Sequence, residues 1–110
     1  MSVVRINAIT VPADRAAEFE RRFAARAGEV SKARGFEAFE LMRPVDGRDV
    51  YLVYTRWRSE DDFTAWVSSA AFQHGHKAHA SDGPAGTGSE LWSFDVIQHE
   101  DAPVVADDGR

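Results

Sequence analysis

GFEAFELMRPVDGRDVYLVYTRWRSEDDFTAW, residues 35–66, reads as two strands, the turn between them and the opening of a helix. Phe36 to Arg43 and Val50 to Trp57 are rich in aromatic and branched residues, the composition of strands. Between them, Pro44 to Asp49 carries Asp46-Gly47, a hairpin-turn pair. Strands joined by so short a loop pair antiparallel. Ser59 then stands where a helix N-cap belongs, with Asp62 at the capping-box position, and Phe63, Trp66 and Val67 form an apolar face. Ser68-Ser69 is expected to kink or break this helix. A short helical piece is expected over about Ala70 to His79, followed by the glycine-rich loop Ser81 to Gly88.

Upstream, Val3 to Val11 reads as a strand ended by Pro12. A helix follows from about Asp14 to Lys32, its inward stripe being Phe19, Phe23, Ala27 and Val30, and Gly35 serves as C-cap or turn glycine. The last strand runs from Glu90 to Gln98. The order β-α-β-β-α-β predicts an α+β, ferredoxin-like domain: a four-stranded antiparallel sheet with both helices on one face. Val3 and Ile9 lie on one side of the first strand and Val4, Ile6 and Ala8 on the other, so both sheet faces need cover. A second subunit is the simplest cover for the face without helices, and implies a dimeric α/β barrel. Burying on the order of 600 Å² of apolar area there is worth roughly 15 kcal/mol before association costs.

A chain of 110 residues fits one domain, expected over about residues 1–100, with 101–110 a flexible tail without aromatics. The net charge of -5 and the lack of a long basic run weigh against nucleic acid as a partner. There is no cysteine, hence neither a disulfide framework nor a thiolate ligand. The start, MSVVRINAIT, has neither the apolar core of a signal peptide nor the length of a membrane span, which makes the cytoplasm the default compartment.

His74-Gly75-His76-Lys77-Ala78-His79 holds three of the four histidines within six residues. Imidazole ligates zinc, copper and heme iron, so the cluster marks a candidate metal or heme site. A solvated helix end, where histidines complement the helix dipole, is the competing reading. Zinc fits poorly: it needs three or four ligands, and His74 and His76 point to different sides of a helix. Heme needs one axial ligand and apolar walls, which Phe23, Phe63, Trp66, Val67 and Phe72 can supply. Phe72 and His76, four apart, share a helical face. Asn7 is an amide inside a strand of Val, Ile and Ala, and either bonds a neighbouring loop or presents a donor to a ligand. Arg22 and Arg26 can receive an anionic group such as a heme propionate or pair with helix glutamates. His99 reads as a surface residue.

VVRINAITVPA, RRFAARA, GFEAFELMRPVDG and YLVYTRWRSEDDFTAW together resemble the Isd-type heme-degrading monooxygenases of the antibiotic-biosynthesis-monooxygenase superfamily, over most of residues 3–98. The resemblance implies a catalytic set of Asn7, Trp66 and a histidine shortly beyond. In one branch of the family that histidine lies nine residues after the tryptophan, which here is Gly75. In the other it lies ten after, which is His76, and the run Phe72 to Lys77 is similar to that branch. His76 is therefore the expected ligand to heme iron and His74 the fallback. The implied roles are distortion of the macrocycle by Trp66 and steering of the oxygen species by the Asn7 amide, with heme both substrate and cofactor. O2, an external electron donor and a reductase partner are implied with it. A non-catalytic heme carrier or sensor, and a cofactor-free quinol-type monooxygenase of the same superfamily, are the alternative readings.

Overall fold

The computed structural model describes residues 1–69 and 88–103. Its elements follow the expected order. β1 spans Val3–Thr10, α1 Ala16–Ala25, β2 Phe36–Met42, β3 Val50–Trp57, α2 Glu60–Val67 and β4 Gly88–Asp95. The four strands form one antiparallel sheet in the order β2-β3-β1-β4. Both helices cover one face, so the ferredoxin-like α+β arrangement is borne out. Within one chain the sheet is open, with β2 and β4 as its edges, so a single chain closes no barrel.

The register sorts side chains into two layers. Asn7 lies opposite Val53 on β3 and opposite Leu91 on β4. Directly paired residues project to the same side. Arg5, Asn7, Tyr51, Val53 and Thr55 therefore share the helix-covered face, joined after a bulge at Glu37 by Phe39 and Leu41 of β2. Val4, Ile6, Leu52, Trp92 and Phe94 share the other.

The long first helix breaks into pieces. Ala13–Arg15 is a 3-10 turn, α1 ends at Ala25, and Val30–Lys32 is a second 3-10 turn. Gly28 supplies the physical cause, because its φ of 95° is outside any helix. Gly35 is a turn glycine, with φ 80° and its carbonyl accepting from the Arg58 amide at 2.8 Å. β4 begins two residues earlier and ends three earlier than its expected span. The helical piece over Ala70 to His79 and the glycine-rich loop up to residue 87 lie outside the described residues.

The core has two parts. Val11, Phe19 and Tyr51 pack beneath α1, with Phe19 4.8 Å from Tyr51 and 4.9 Å from Phe23 between ring centroids. Trp57, fully buried, meets Phe36 and Phe63 edge-on beneath α2. Arg5 lies alongside, only 7% exposed, its guanidinium 5.6 Å from the Phe63 centroid. It donates to the Val4 carbonyl at 3.0 Å and lies 3.2 Å from the Glu60 carboxylate. A buried cation needs such partners.

Candidate active site

Between α1, α2 and the sheet lies a cavity of about 600 Å³. That is in the range of small-molecule and cofactor pockets, about 300–1,000 Å³. Asn7, Val53 and Thr55 form its floor, Phe39 and Leu41 one side, Trp66 the α2 wall, and Phe23 and Ala24 the α1 wall. Residues 26–30, the turn after α1, complete that wall.

Asn7 reaches the floor because β1 is a central strand. Its backbone is held by ladders on both sides, and its half-buried amide has a donor and an acceptor to offer the cavity. Trp66 is placed by the caps of α2. At the N-terminus the Ser59 hydroxyl accepts from the Asp62 amide at 3.2 Å and donates to the Asp62 carboxylate at 3.0 Å. Arg58 Nε donates to the same carboxylate at 3.2 Å. At the other end the Trp66 carbonyl accepts from the Ser69 amide at 2.9 Å and the Ser69 hydroxyl at 2.6 Å. Ser69 thus closes the helix by taking the Trp66 carbonyl with both its amide and its hydroxyl.

The structure brings Asn7, Trp66, Phe23 and Arg26 to one cavity. Three other expected wall or anchor residues are placed elsewhere. Arg22 donates through Nε to Glu18 at 2.7 Å, the helix ion pair weighed against a propionate contact. Phe63 packs on Trp57 and under Arg5, serving the core. Val67, the last residue of α2, is half-buried and is not part of the lining. Phe72, His74 and His76 lie outside the described residues. Among the described residues no group of His, Asp and Glu could hold a metal ion by itself.

A second polar group on the wall was not anticipated. Tyr51, buried on β3, donates its hydroxyl to Glu20 on α1, and Arg43 at the end of β2 grips the same carboxylate with Nε at 2.7 Å and Nη2 at 2.6 Å. Arg43 and then Tyr51 hold the Glu20 carboxyl at about 2. Burial and the neighbouring carboxylate push the Tyr51 phenol up. No sequence signal marked this group: Glu20 follows Phe19 by one residue, off the inward stripe, and stays 30% exposed.

The antibiotic biosynthesis monooxygenase family model matches residues 2–78. The chain belongs to this family. Among curated members it is 44% identical over 97 residues to the mycobilin-producing heme oxygenase of Mycobacterium tuberculosis, covering 88% of this chain and 90% of that one. It is 35% identical over 74 residues to the staphylobilin-producing heme oxygenase of Staphylococcus haemolyticus, covering 64% and 69% of the two chains. Among solved members, the heme-degrader MhuD of M. tuberculosis, with two hemes bound in its active site, superposes with a TM-score of 0.76 at 42% identity, over 90% of this chain and 99% of that one. In this antibiotic biosynthesis monooxygenase the cavity between sheet and helices is the candidate active site.

Proposed function

We infer that this chain is a heme-degrading monooxygenase, which binds heme through His76 and uses O2 and an external electron donor to open the ring and release iron. The observation that carries the reading is the meeting of Asn7 and Trp66, 59 positions apart in the sequence, on the walls of one mainly apolar cavity. Similarity to heme oxygenases over most of the chain supports it.

The residues present fit the group. Phe23, Leu41 and Val53 give the apolar surface that a macrocycle needs and exclude water from it. Arg26, on the same wall, is the cation suited to a carboxylate substituent. When bound, heme supplies both the oxygen chemistry and the ring that is opened. The protein supplies position. Asn7 presents an amide donor from a strand held on both edges, so its place on the cavity floor is set before substrate arrives. Trp66 contributes bulk to the cavity wall from a helix capped at both ends, and would press on the group held there. His76, with His74 as fallback, would be the residue that holds the iron. A reductase partner delivers the electrons.

The working unit in this reading is a homodimer. Trp92 and Phe94 are 39% and 50% exposed on the helix-free face, beside a groove of about 800 Å³ whose apolar lining includes Ala8, Met42, Val50 and Leu52. Packing that face on a second copy removes it from water and closes the barrel that one chain leaves open. The catalytic domain takes in about residues 1–100, with the tail from 101 dispensable, and the compartment is the cytoplasm, in keeping with the lack of cysteine. Among the described residues no helix is long and apolar enough to cross a membrane.

The test is anaerobic reconstitution with hemin, then reductant and oxygen. Wild type forms a Soret-absorbing complex that bleaches, and His76→Ala loses tight binding. A complex whose Soret band is unchanged by turnover conditions indicates a carrier, and no hemin affinity at all indicates the cofactor-free chemistry.

A further inference from the structure

The cavity wall carries one ionic group for which the proposed chemistry has no use. Glu20, Tyr51 and Arg43 come from α1, β3 and the end of β2, and all three line the cavity. Their geometry is closed upon itself. Glu20 accepts from the Tyr51 hydroxyl and takes two guanidinium donors of Arg43, Nε and Nη2, in a bidentate pair. Held so strongly ionised, Glu20 is a poor proton donor. A proton relay is therefore the wrong role for this group.

What the group does is tie α1 to the sheet at the cavity. One turn beyond Glu20, Phe23 and Ala24 face the cavity, followed by residues 26–30 in the turn. Ala27, Gly28 and Glu29 are exposed and Gly28 has a φ of 95°, so between α1 and the 3-10 turn at Val30–Lys32, which rests on β2, this stretch is held mainly by short-range backbone bonds. On the sheet side α1 is held by Phe19, tilted against both Tyr51 and Phe23, and by the carboxylate that Tyr51 and Arg43 share. Ring packing is tolerant of sliding, whereas a bidentate pair is directional.

We propose that Glu20, Tyr51 and Arg43 form a positioning clamp that sets the height of α1 and the 26–30 turn over the sheet, and thereby the fit of the cavity to heme. This rests on the heme reading of the cavity. None of the three is a catalytic residue.

The test compares wild type with Tyr51→Phe, which keeps the ring and removes one donor, and with Arg43→Ala, whose exposed side chain can be removed without opening the core. Hemin titration followed at the Soret band, amide hydrogen exchange of residues 26–30 in the hemin-free protein, and the urea midpoint are measured on each. The clamp predicts hemin affinity lowered by roughly 10-fold in Tyr51→Phe, the scale of one hydrogen bond to a charged group, and by a smaller factor in Arg43→Ala, whose ion pair is largely exposed. It also predicts faster exchange confined to 26–30 and a β1–β3 exchange pattern like wild type. Tyr51→Phe combined with Arg43→Ala weakens binding by less than the product of the single effects, because the two act through one carboxylate. Hemin affinity within about 2-fold of wild type in both variants overturns the clamp, as does exchange that quickens throughout the sheet. If wild type takes up no hemin while 26–30 still loosens in the variants, the heme reading fails and the tie to α1 stands.

Discussion

Replacing Gly35 by alanine tests how the α2 end of the cavity is built. Gly35 has φ 80°, a region that costs an L-residue about 1–2 kcal/mol. A β-carbon there would sit 2.5 Å from Asp62 Cβ and closer still to the carboxylate. Asp62 cannot retreat cheaply. It is 8% exposed, caps α2 with Ser59 and is bonded by Arg58. Losing that cap costs about 1 kcal/mol more. The dihedral and the cap together give about 2–3 kcal/mol, and relief of the overlap adds to it. For a domain of this size that is a fall in Tm of at least about 10 °C. Gly28→Ala is the control, because Gly28 has φ 95° but nothing within 4 Å of its would-be Cβ. It carries the dihedral cost alone. Urea unfolding of the two variants separates the terms, and a Gly35→Ala loss no larger than that of Gly28→Ala would refute the account of how α2, and with it Trp66, is seated.

Asn7→Ala is expected to bind hemin while losing about 100-fold or more in turnover, the scale of one preorganised donor, as measured by Soret decay under reductant and oxygen. Trp92→Glu places a charge on the helix-free face and is expected to shift the proposed dimer to monomer in light-scattering chromatography, leaving circular dichroism unchanged. The carboxyls of Glu18 and Glu20 are both held at about 2, below the ordinary 4.5, by Arg21 with Arg22 and by Arg43 with Tyr51 respectively. Protons bind the unfolded chain first, so this stabilisation is whole above about pH 4.5 and is lost as pH falls toward about 2. Urea midpoints across that window fall in wild type and fall less in Glu20→Gln.

The fold was legible where composition and punctuation agreed. The aromatic and branched run Val50 to Trp57, the Asp46-Gly47 turn and the Ser59 cap place β3, the hairpin and α2 at or near their observed bounds. The first helix was read too long because Phe19, Phe23, Ala27 and Val30 keep a helical spacing through Gly28, whose backbone no spacing rule reports. At the site, Asn7 was visible as a polar residue in an apolar strand and Trp66 through the family resemblance. The tie from Glu20 to Tyr51 and Arg43 was not, because it joins three elements whose proximity depends on the order β2-β3-β1-β4. Phe63 and Val67 illustrate the converse. Their apolar character is as true of core residues as of cavity walls, and only packing against Trp57 assigns Phe63 to the core.

The most direct measurement of the central claim is the fate of heme iron in a single turnover mixture of protein, hemin, reductant and oxygen, with catalase present to remove free peroxide and a ferrous chelator to report release. The account predicts loss of the Soret band together with chelated iron close to one per heme consumed, and neither change in Asn7→Ala over the same interval. A wild-type Soret band that persists, or that bleaches no faster than hemin without protein, would contradict it.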